Sequence, residues 1–375
     1  MKSSPFAAND FPSANGGFVA AWVRFWFQPI DPIGLHVVRI GSGFLFLLWL
    51  LPLAGDLNGL FGLGGWFDRQ AYAEAARLAD NPMGQTSPVA LLTWSLIYLV
   101  GDSPFWLAVL YWTTIVVVVM LTLGVATRLT AVLTWVTVTS FTSANPAIAF
   151  DADIFLNVFA WYVMVGYLLF GLRGREPTWR QWLLGPTDAW LLGRSEEGRR
   201  PSVAANLALR LLQVHFAIIV VTTGLHKLQF GDWWSGTALW YAVVPPFQAT
   251  VADAVQLRDR RESVLMILSL SAYVILAWQL TFPWFAWRRR WRPLLLLGGV
   301  VGLLGTVFVF RYPIFGPALV IGGASYATPE EWNTWLAASA RRLGLRHWAD
   351  RLAALADGSA QAAAHRPSVA LGPRP

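Results

Sequence analysis

The stretch "VHFAIIVVTTGLHKLQFGDWW" (residues 214–234) continues a long apolar run and places two ionisable side chains, His226 and Lys227, where that run ends. An apolar run of about 20 residues predicts a membrane-crossing helix, because that length of α-helix spans the hydrocarbon core of a bilayer. Ionisable groups within such segments are costly and are commonly functional. The stretch therefore indicates a membrane protein and makes Lys227 its first candidate functional residue.

Composition extends the membrane prediction to the whole chain. Of its 375 residues, 56% are hydrophobic and only 13% are charged, and the mean hydropathy is +0.49. Soluble domains carry about 25% charged residues, so most of this chain is expected to face lipid. The 22 Trp and 23 Phe agree with this prediction, because Trp gathers at the membrane interface.

Several classes of function and site are disfavoured by composition. The net charge of +7 does not indicate nucleic-acid binding, because the arginines lie in short segments between apolar runs, where positive charge sets membrane topology. With no cysteine there is no disulfide, thiolate nucleophile or cysteine metal site, and the five histidines are scattered. We therefore predict no metal site, and we find no phosphate-binding glycine loop, zinc-protease motif or serine nucleophile elbow.

The apolar runs predict an all-α, polytopic transmembrane helix bundle of about eight helices. These lie at about residues 33–54, 105–125, 129–150, 154–172, 203–228, 263–287, 293–310 and 314–326. Two further apolar stretches, 87–101 and 235–246, are predicted to be re-entrant or interfacial segments. Basic connections alternate with acidic ones, which predicts that both termini are cytoplasmic in a multi-pass protein of the bacterial inner membrane.

The chain is divided into four segments. A polar N-terminal segment (1–24), without the apolar core of a cleavable signal peptide, precedes the transmembrane domain (25–329). Apolar residues at helical spacing, with arginines between them, then predict a cytoplasmic amphipathic helix at 330–356. It would lie on an anionic membrane surface or, equally, pack on the cytoplasmic loops. Residues 357–375 have the composition of a disordered tail.

Lys227 has two explanations. A lysine at a helix end can extend its ammonium group to the interface, and Trp233 and Trp234 would then be ordinary aromatic anchors. Alternatively, a polar face that includes His215 and His226 continues along the helix, and Thr223 lies one turn before the lysine. If that face meets the bundle interior, burial favours the neutral amine, which can accept a proton. His226 could equally be a packed core histidine.

Three other polar residues lie in or near apolar runs. Arg39 and Arg210 can each extend a guanidinium group to the cytoplasmic interface or pair with a buried Asp, and His36 is expected to be interfacial. None of them is predicted to be catalytic.

The segment "GLHKL…DWWSGTALW" resembles the membrane domain shared by vitamin K-dependent gamma-carboxylase and the bacterial HTTM (horizontally transferred transmembrane) proteins. In the carboxylase, a Gly-x-Lys-Lys-Leu stretch followed by Asp-Trp and a Gly ends a helix. The second lysine, regarded as the base that deprotonates vitamin K hydroquinone, falls on Lys227, and the first is replaced by His226. The resemblance covers about residues 25–335, with further similar stretches in the same order: "VVRIGSGFLFLLWL" (37–50), "GWFDRQAY" (65–72), "LTLGVATRLTAVLTW" (121–135) and "YATPEEW" (326–332).

The resemblance implies a quinone or hydroquinone ligand and base chemistry by Lys227, with His226 as its catalytic partner. The residues that would surround the substrate are Thr223, Asp232, Trp233, His215 and Asp153. Two positions depart from the carboxylase, since Asp153 and Thr306 stand where it has histidines, and its large extramembrane C-terminal region is missing. Glutamate carboxylation is therefore not expected, and helix capping is an alternative role for Asp153.

A different class of function fits the same sequence. The chain would be a non-enzymatic membrane component that binds membrane lipid, a small peptide or a partner membrane protein, in peptide maturation or export. In that case Lys227→Ala would leave function intact. Transport is a weaker hypothesis, because carriers commonly contain paired repeats and we detect no repeat.

Overall fold

The fold is that of an all-α helical bundle. The computed structural model describes residues 17–66, 95–100, 103–145, 148, 151–170, 201–240, 250–309, 313–344 and 350. Within these ranges the only β-type pairing is an isolated bridge between Ile30 and Ser202. The fold class predicted from the apolar runs is confirmed.

The helices follow the predicted runs closely. In chain order they are α1 (Gly17–Phe27), α2 (Ile33–Leu50), α3 (Leu57–Phe61), α4 (Ile97–Val100), α5 (Pro104–Leu123), α6 (Thr127–Ala144), α7 (Asp153–Leu169), α8 (Val203–Lys227), α9 (Gly231–Trp234), α10 (Val251–Phe285), α11 (Arg292–Leu304), α12 (Phe315–Ala324) and α13 (Pro329–Arg342). A 3-10 turn (Leu51–Asp56) joins α2 to α3, and a π-helical turn (Gly305–Val309) follows α11.

Four helical segments are long and apolar enough to cross a membrane. They are Ile33–Phe61, Pro104–Leu123, Val203–Lys227 and Glu262–Phe285. Their length and composition support the prediction of a transmembrane protein, since a crossing helix needs about 20 mainly apolar residues. The total of about eight crossings stays a prediction.

Two helices differ from the sequence-based expectation. α1 lies mostly within the segment predicted only as polar, and it exposes the large rings of Phe18 and Trp22. α10 begins at Val251, well before the predicted start at 263. The prediction followed apolar runs, so it did not include the charged stretch that forms the first turns of this helix. Residues 87–94, 241–246 and 357–375, which carry further predictions, lie outside the described ranges.

The centre of the bundle is the ring of Phe216, in the middle of α8. This fully buried ring contacts the rings of Phe155 and Phe282, with centroid separations of 5.9 and 5.5 Å. On another side it meets Tyr326 at 6.4 Å. Gly322 of α12 faces the same ring so closely that a Cβ atom there would overlap it. Helices α7, α8, α10 and α12 thus pack around one aromatic side chain.

A buried polar cluster joins α2 to α7. The side chains of His36 and Arg39 are fully buried. The phenol of Tyr167 shares a 2.6 Å hydrogen bond with His36 Nδ1 and accepts one of 3.1 Å from Arg39 Nη1. The Arg39 side chain therefore ends inside the protein, with the phenol of Tyr167 as a partner, instead of extending to the protein surface. The interfacial position of His36 stays a prediction.

The predicted amphipathic helix corresponds to α13, which ends at Arg342. A capping box between Thr328 and Glu331 starts it, and Glu331 also forms a 2.6 Å ion pair with Arg292 at the start of α11. Its buried residues are Asn333, Ala337 and Ala340. The helix thus packs against protein on one face, and its two predicted environments, an anionic membrane surface and the cytoplasmic loops, both stay predictions.

Gly322→Ala should destabilise the bundle by about 1–3 kcal/mol, because the added methyl group overpacks a core that is already closed around Phe216. The measurement is the unfolding of the purified protein in a membrane mimetic, followed by helical circular dichroism. Gly299→Ala on α11 is the matched control, since a Cβ there meets no atom within 4 Å. Equal stability of the two variants would contradict the close approach of α8 and α12.

Candidate functional site

The Lys227 side chain, at the end of α8, is held by residues from other parts of the fold. Its Nζ atom donates a 2.9 Å hydrogen bond to Oε1 of Gln279 on α10. The same nitrogen lies 4.6 Å from the centroid of the Trp233 ring, and the carboxylate of Asp151 attracts it electrostatically. The side chain is partly buried. The amine is thus engaged by protein groups and not extended freely into solvent.

The position of Gln279 shows where the amine lies along α10. Gln279 belongs to the apolar segment Glu262–Phe285 and is itself buried. It lies seventeen residues, or roughly 26 Å of helix, from the Glu262 end of that segment and six residues, or roughly 9 Å, from its Phe285 end. The amine is thus bonded to a polar side chain within an apolar segment, nearly two turns from the nearer end of that segment.

Close packing of α8 on α10 makes the contact with Gln279 geometrically accessible. Gly224, one turn before Lys227, is buried, and a Cβ atom added there would come within 3.0 Å of the Cβ of Gln279. The small residue lets the two backbones approach, as is common between membrane helices. The Lys227 side chain can then reach the amide across a short gap.

The chain reverses after α8 and brings Trp233 back over the amine. The turn at Leu228–Phe230 leads into the short helix α9. The indole N–H of Trp234 donates to the carbonyl of Leu228 at 2.7 Å, and the hydroxyl of Tyr273 on α10 donates to the carbonyl of Trp234 at 2.7 Å. These two bonds fix the reversed segment on α10, so that Trp233 is positioned by the fold.

The neighbours of Lys227 along the chain are not gathered around its amine in the same way. His226 is exposed and packs edge-to-face on Phe230, with ring centroids 5.0 Å apart. The Thr223 hydroxyl donates to the carbonyl of Ile219 within its own helix, at 2.7 Å. Asp232 is exposed, and its backbone carbonyl accepts from the N–H groups of Thr237 and Ala238.

The two remaining sequence-predicted residues occupy other parts of the bundle. His215 shares a 3.0 Å hydrogen bond with the hydroxyl of Tyr162 on α7. Asp153 is the first residue of α7, where a carboxylate is favoured by the helix dipole, and its backbone carbonyl accepts a 3.0 Å bond from Asn157. Among the predicted site residues, the structure therefore joins Trp233 to Lys227 by direct contact.

Sequence reasoning missed two residues that act on the amine, since neither Asp151 nor Gln279 was among the predicted site residues. Gln279 could have been noticed because it places a polar side-chain amide inside an apolar run, "VILAWQLTF" (274–282). Its pairing with Lys227 could not be predicted, because it depends on how α8 and α10 pack.

A metal-dependent site finds no support in the described ranges, which contain no group of three or more His, Cys, Asp or Glu side chains placed to hold an ion. Comparisons of the chain with protein-family models, with curated proteins and with solved structures each found no match. The evidence for function therefore consists of the site geometry and the sequence resemblance.

Chemical labelling can test how the Lys227 amine is held. The chain has only two lysines, Lys2 and Lys227, so an amine-reactive reagent reports on Lys227 with little background. Gln279→Leu should raise the labelling rate of Lys227 about fivefold, the equivalent of one net hydrogen bond of roughly 1 kcal/mol. The rate is measured by mass spectrometry of the peptide that contains the lysine.

Gln229→Ala, at an exposed position two residues after Lys227, is the matched control and should leave the labelling rate unchanged. Identical rates in the wild-type protein and Gln279→Leu would show that the amine is already free in the wild type.

Proposed function

We propose that this chain is an HTTM-like, multi-pass protein of the bacterial inner membrane, with both termini in the cytoplasm, that binds a lipid-soluble molecule with an ionisable hydroxyl at Lys227. A hydroquinone is the ligand class that the resemblance favours. Lys227 takes the proton from that hydroxyl. The observation that carries the proposal is the contact of the lysine amine with Gln279, inside an apolar helical segment.

The surroundings of Lys227 suit a group that becomes charged during a reaction. In the proposed step the hydroxyl O–H bond breaks, the proton moves to the neutral amine, and an ammonium–phenolate pair results. The face of Trp233 attracts a cation, the oxygen of Gln279 accepts an ammonium hydrogen, and Asp151 adds negative charge. The proposed ammonium group therefore has two stabilising contacts, with Gln279 and Trp233, besides the attraction of Asp151, and the phenolate is a further partner.

The proposal does not include glutamate carboxylation. Asp153 and Thr306 stand where the resembling carboxylase has histidines, and neither can replace a histidine in proton transfer near neutral pH. His226 is exposed beside Phe230. The chemistry proposed is therefore limited to binding and deprotonation of the lipophilic hydroxyl by Lys227.

Lys227→Met should abolish ionisation of a bound hydroquinone, because methionine keeps an unbranched apolar chain of similar length but cannot accept a proton. The probe is a short-chain naphthohydroquinone added anaerobically to the purified protein in nanodiscs. The measurement is the absorbance of its anion across a pH titration. Wild-type protein should produce the anion at lower pH than empty nanodiscs do, and Lys227→Met should match the empty discs.

Gln229→Ala serves as the control and should behave as the wild type. If the wild-type protein shifted the titration no more than empty nanodiscs, the proposal would be wrong. If Lys227→Met shifted it as far as the wild type, another residue would be the proton acceptor.

The exposure of His226 favours a second candidate, a non-enzymatic membrane component that binds lipid or a partner, such as a small peptide or another membrane protein. In this case the Lys227–Gln279 bond only stabilises the packing of α8 on α10. Lys227→Met would then lower the unfolding temperature but leave lipid or partner binding intact, whereas changes in α13 would abolish it. Lys227→Met thus separates the two candidates.

A further inference from the structure

A polar cleft lies toward the opposite end of α8 from Lys227. Its volume is about 280 Å³, and residues of α1, α2 and α8 line it together with the starts of α11 and α13. α8 contributes the positively charged Arg210 to the lining. Arg210 precedes Lys227 by seventeen residues, so the two lie roughly 26 Å apart along the helix. The cleft is thus separate from the site proposed for hydroxyl deprotonation.

Two arginines meet at this cleft. Arg210 donates a 2.9 Å hydrogen bond from Nη1 to Oε1 of Gln213, and its guanidinium carbon lies 4.5 Å from the centroid of the Phe25 ring. Arg292 also lines the cleft, and its side chain is only 8% exposed. Both guanidinium groups line the same cleft, so their positive charges repel each other. Arg292 has Glu331 as its counterion, whereas no carboxylate among the described residues forms an ion pair with Arg210, and such an unpaired cation within a bundle is costly.

Three buried polar atoms of the lining residues have no hydrogen-bond partner among the described residues. They are Nε of Arg210, Nε of Arg292 and Oδ1 of Asn206. Asn206 is 1% exposed, and its Nδ2 is already used by the carbonyl of Phe25 at 3.0 Å. Buried polar groups normally have partners, and one that lacks them often marks the position of a ligand. The cleft therefore offers two donors and one acceptor.

The carboxylates around the cleft are already hydrogen-bonded, and Glu331 is the counterion of Arg292. Oδ1 of Asp31, which is in the lining, accepts a 2.9 Å bond from the backbone N–H of Ile33. Oε2 of Glu331 accepts from Nη1 of Arg292 at 2.6 Å and from the backbone N–H of Thr328 at 2.8 Å. These contacts leave the Nε donors of both arginines unused, and a guanidinium group suits phosphate oxygens particularly well.

We propose that this cleft binds a phosphate ester that carries a hydroxyl group. The phosphate oxygens accept hydrogen bonds from Nε of Arg210 and of Arg292, which offsets the repulsion between the two cations. The neighbouring hydroxyl donates to Oδ1 of Asn206. The same chemistry is offered by an anionic phospholipid headgroup with free hydroxyls and by a soluble phosphate ester.

Features beside the cleft favour a lipid as the source. α1 contributes Phe25 to the lining and exposes Phe18 and Trp22, which are 81% and 54% accessible. Exposed aromatic rings on a short apolar helix are typical of a segment at the membrane interface. Trp287, also in the lining, is followed by the exposed Arg288, Arg289 and Arg290, and a Trp beside basic residues at the end of an apolar segment is typical of the membrane interface.

The test is ligand binding by the full-length protein in a phosphate-free detergent, followed by native mass spectrometry. The probes are short-chain phosphatidylglycerol, glycerol 3-phosphate, and a diacylglycerol of the same chain length that lacks phosphate. Wild-type protein should bind phosphatidylglycerol and not diacylglycerol. Arg210→Gln should weaken that binding about tenfold, the effect of losing one charge-assisted hydrogen bond, while Arg288→Gln, at an exposed position, should leave it unchanged.

Asn206→Asp is a second variant that keeps the shape of the cleft and adds a negative charge, and it should weaken phosphatidylglycerol binding at least as much. Binding of glycerol 3-phosphate as tight as that of the lipid would identify a soluble ester as the ligand. Wild-type binding of both phosphate compounds no stronger than that of diacylglycerol would overturn the proposal, as would equal effects of Arg210→Gln and Arg288→Gln.

Discussion

The fold depends on the close approach of Gly322 to the buried ring of Phe216. This contact lets α12 pack directly on α8, and the ring also meets side chains of α7 and α10. Tyr326, which follows α12, then donates its hydroxyl hydrogen to the carbonyl of Gln213 at 2.5 Å. One small residue opposite one large ring therefore positions α8 relative to α7, α10 and α12, and α8 carries both Arg210 and Lys227.

Several ionisable side chains in this bundle have hydrogen-bond partners on other helices. Arg128 shows the pattern, because its Nη2 and Nε atoms donate to the carbonyls of Phe170 and Tyr167 at the end of α7, at 2.6 and 3.3 Å. A hydrocarbon environment offers no competing water, so an ionisable side chain is stable there only with fixed internal partners. Lys227 follows this rule through Gln279, whereas the Nε atoms at the Arg210–Arg292 cleft depart from it.

The helix positions could be predicted from sequence, because a helix that crosses a bilayer needs a run of about 20 mainly apolar residues, and such runs are visible in the sequence. Lys227 could be chosen for a similar reason, since charge inside such a run is rare. Its partner Gln279 and the burial of Arg39 were missed, because both depend on contacts between distant helices that leave no local pattern. α1 was missed because its apolar stretch is too short to be recognised as a crossing helix.

The length of α10 has a mechanical consequence. A continuous helix of 35 residues extends roughly 52 Å, well beyond a hydrocarbon core of about 30 Å. The residues before Glu262, roughly 16 Å of helix, therefore extend α10 beyond its apolar segment. These charged first turns and the amide that holds the lysine belong to one continuous helix, so a tilt of the extended end would be accompanied by a displacement of Gln279.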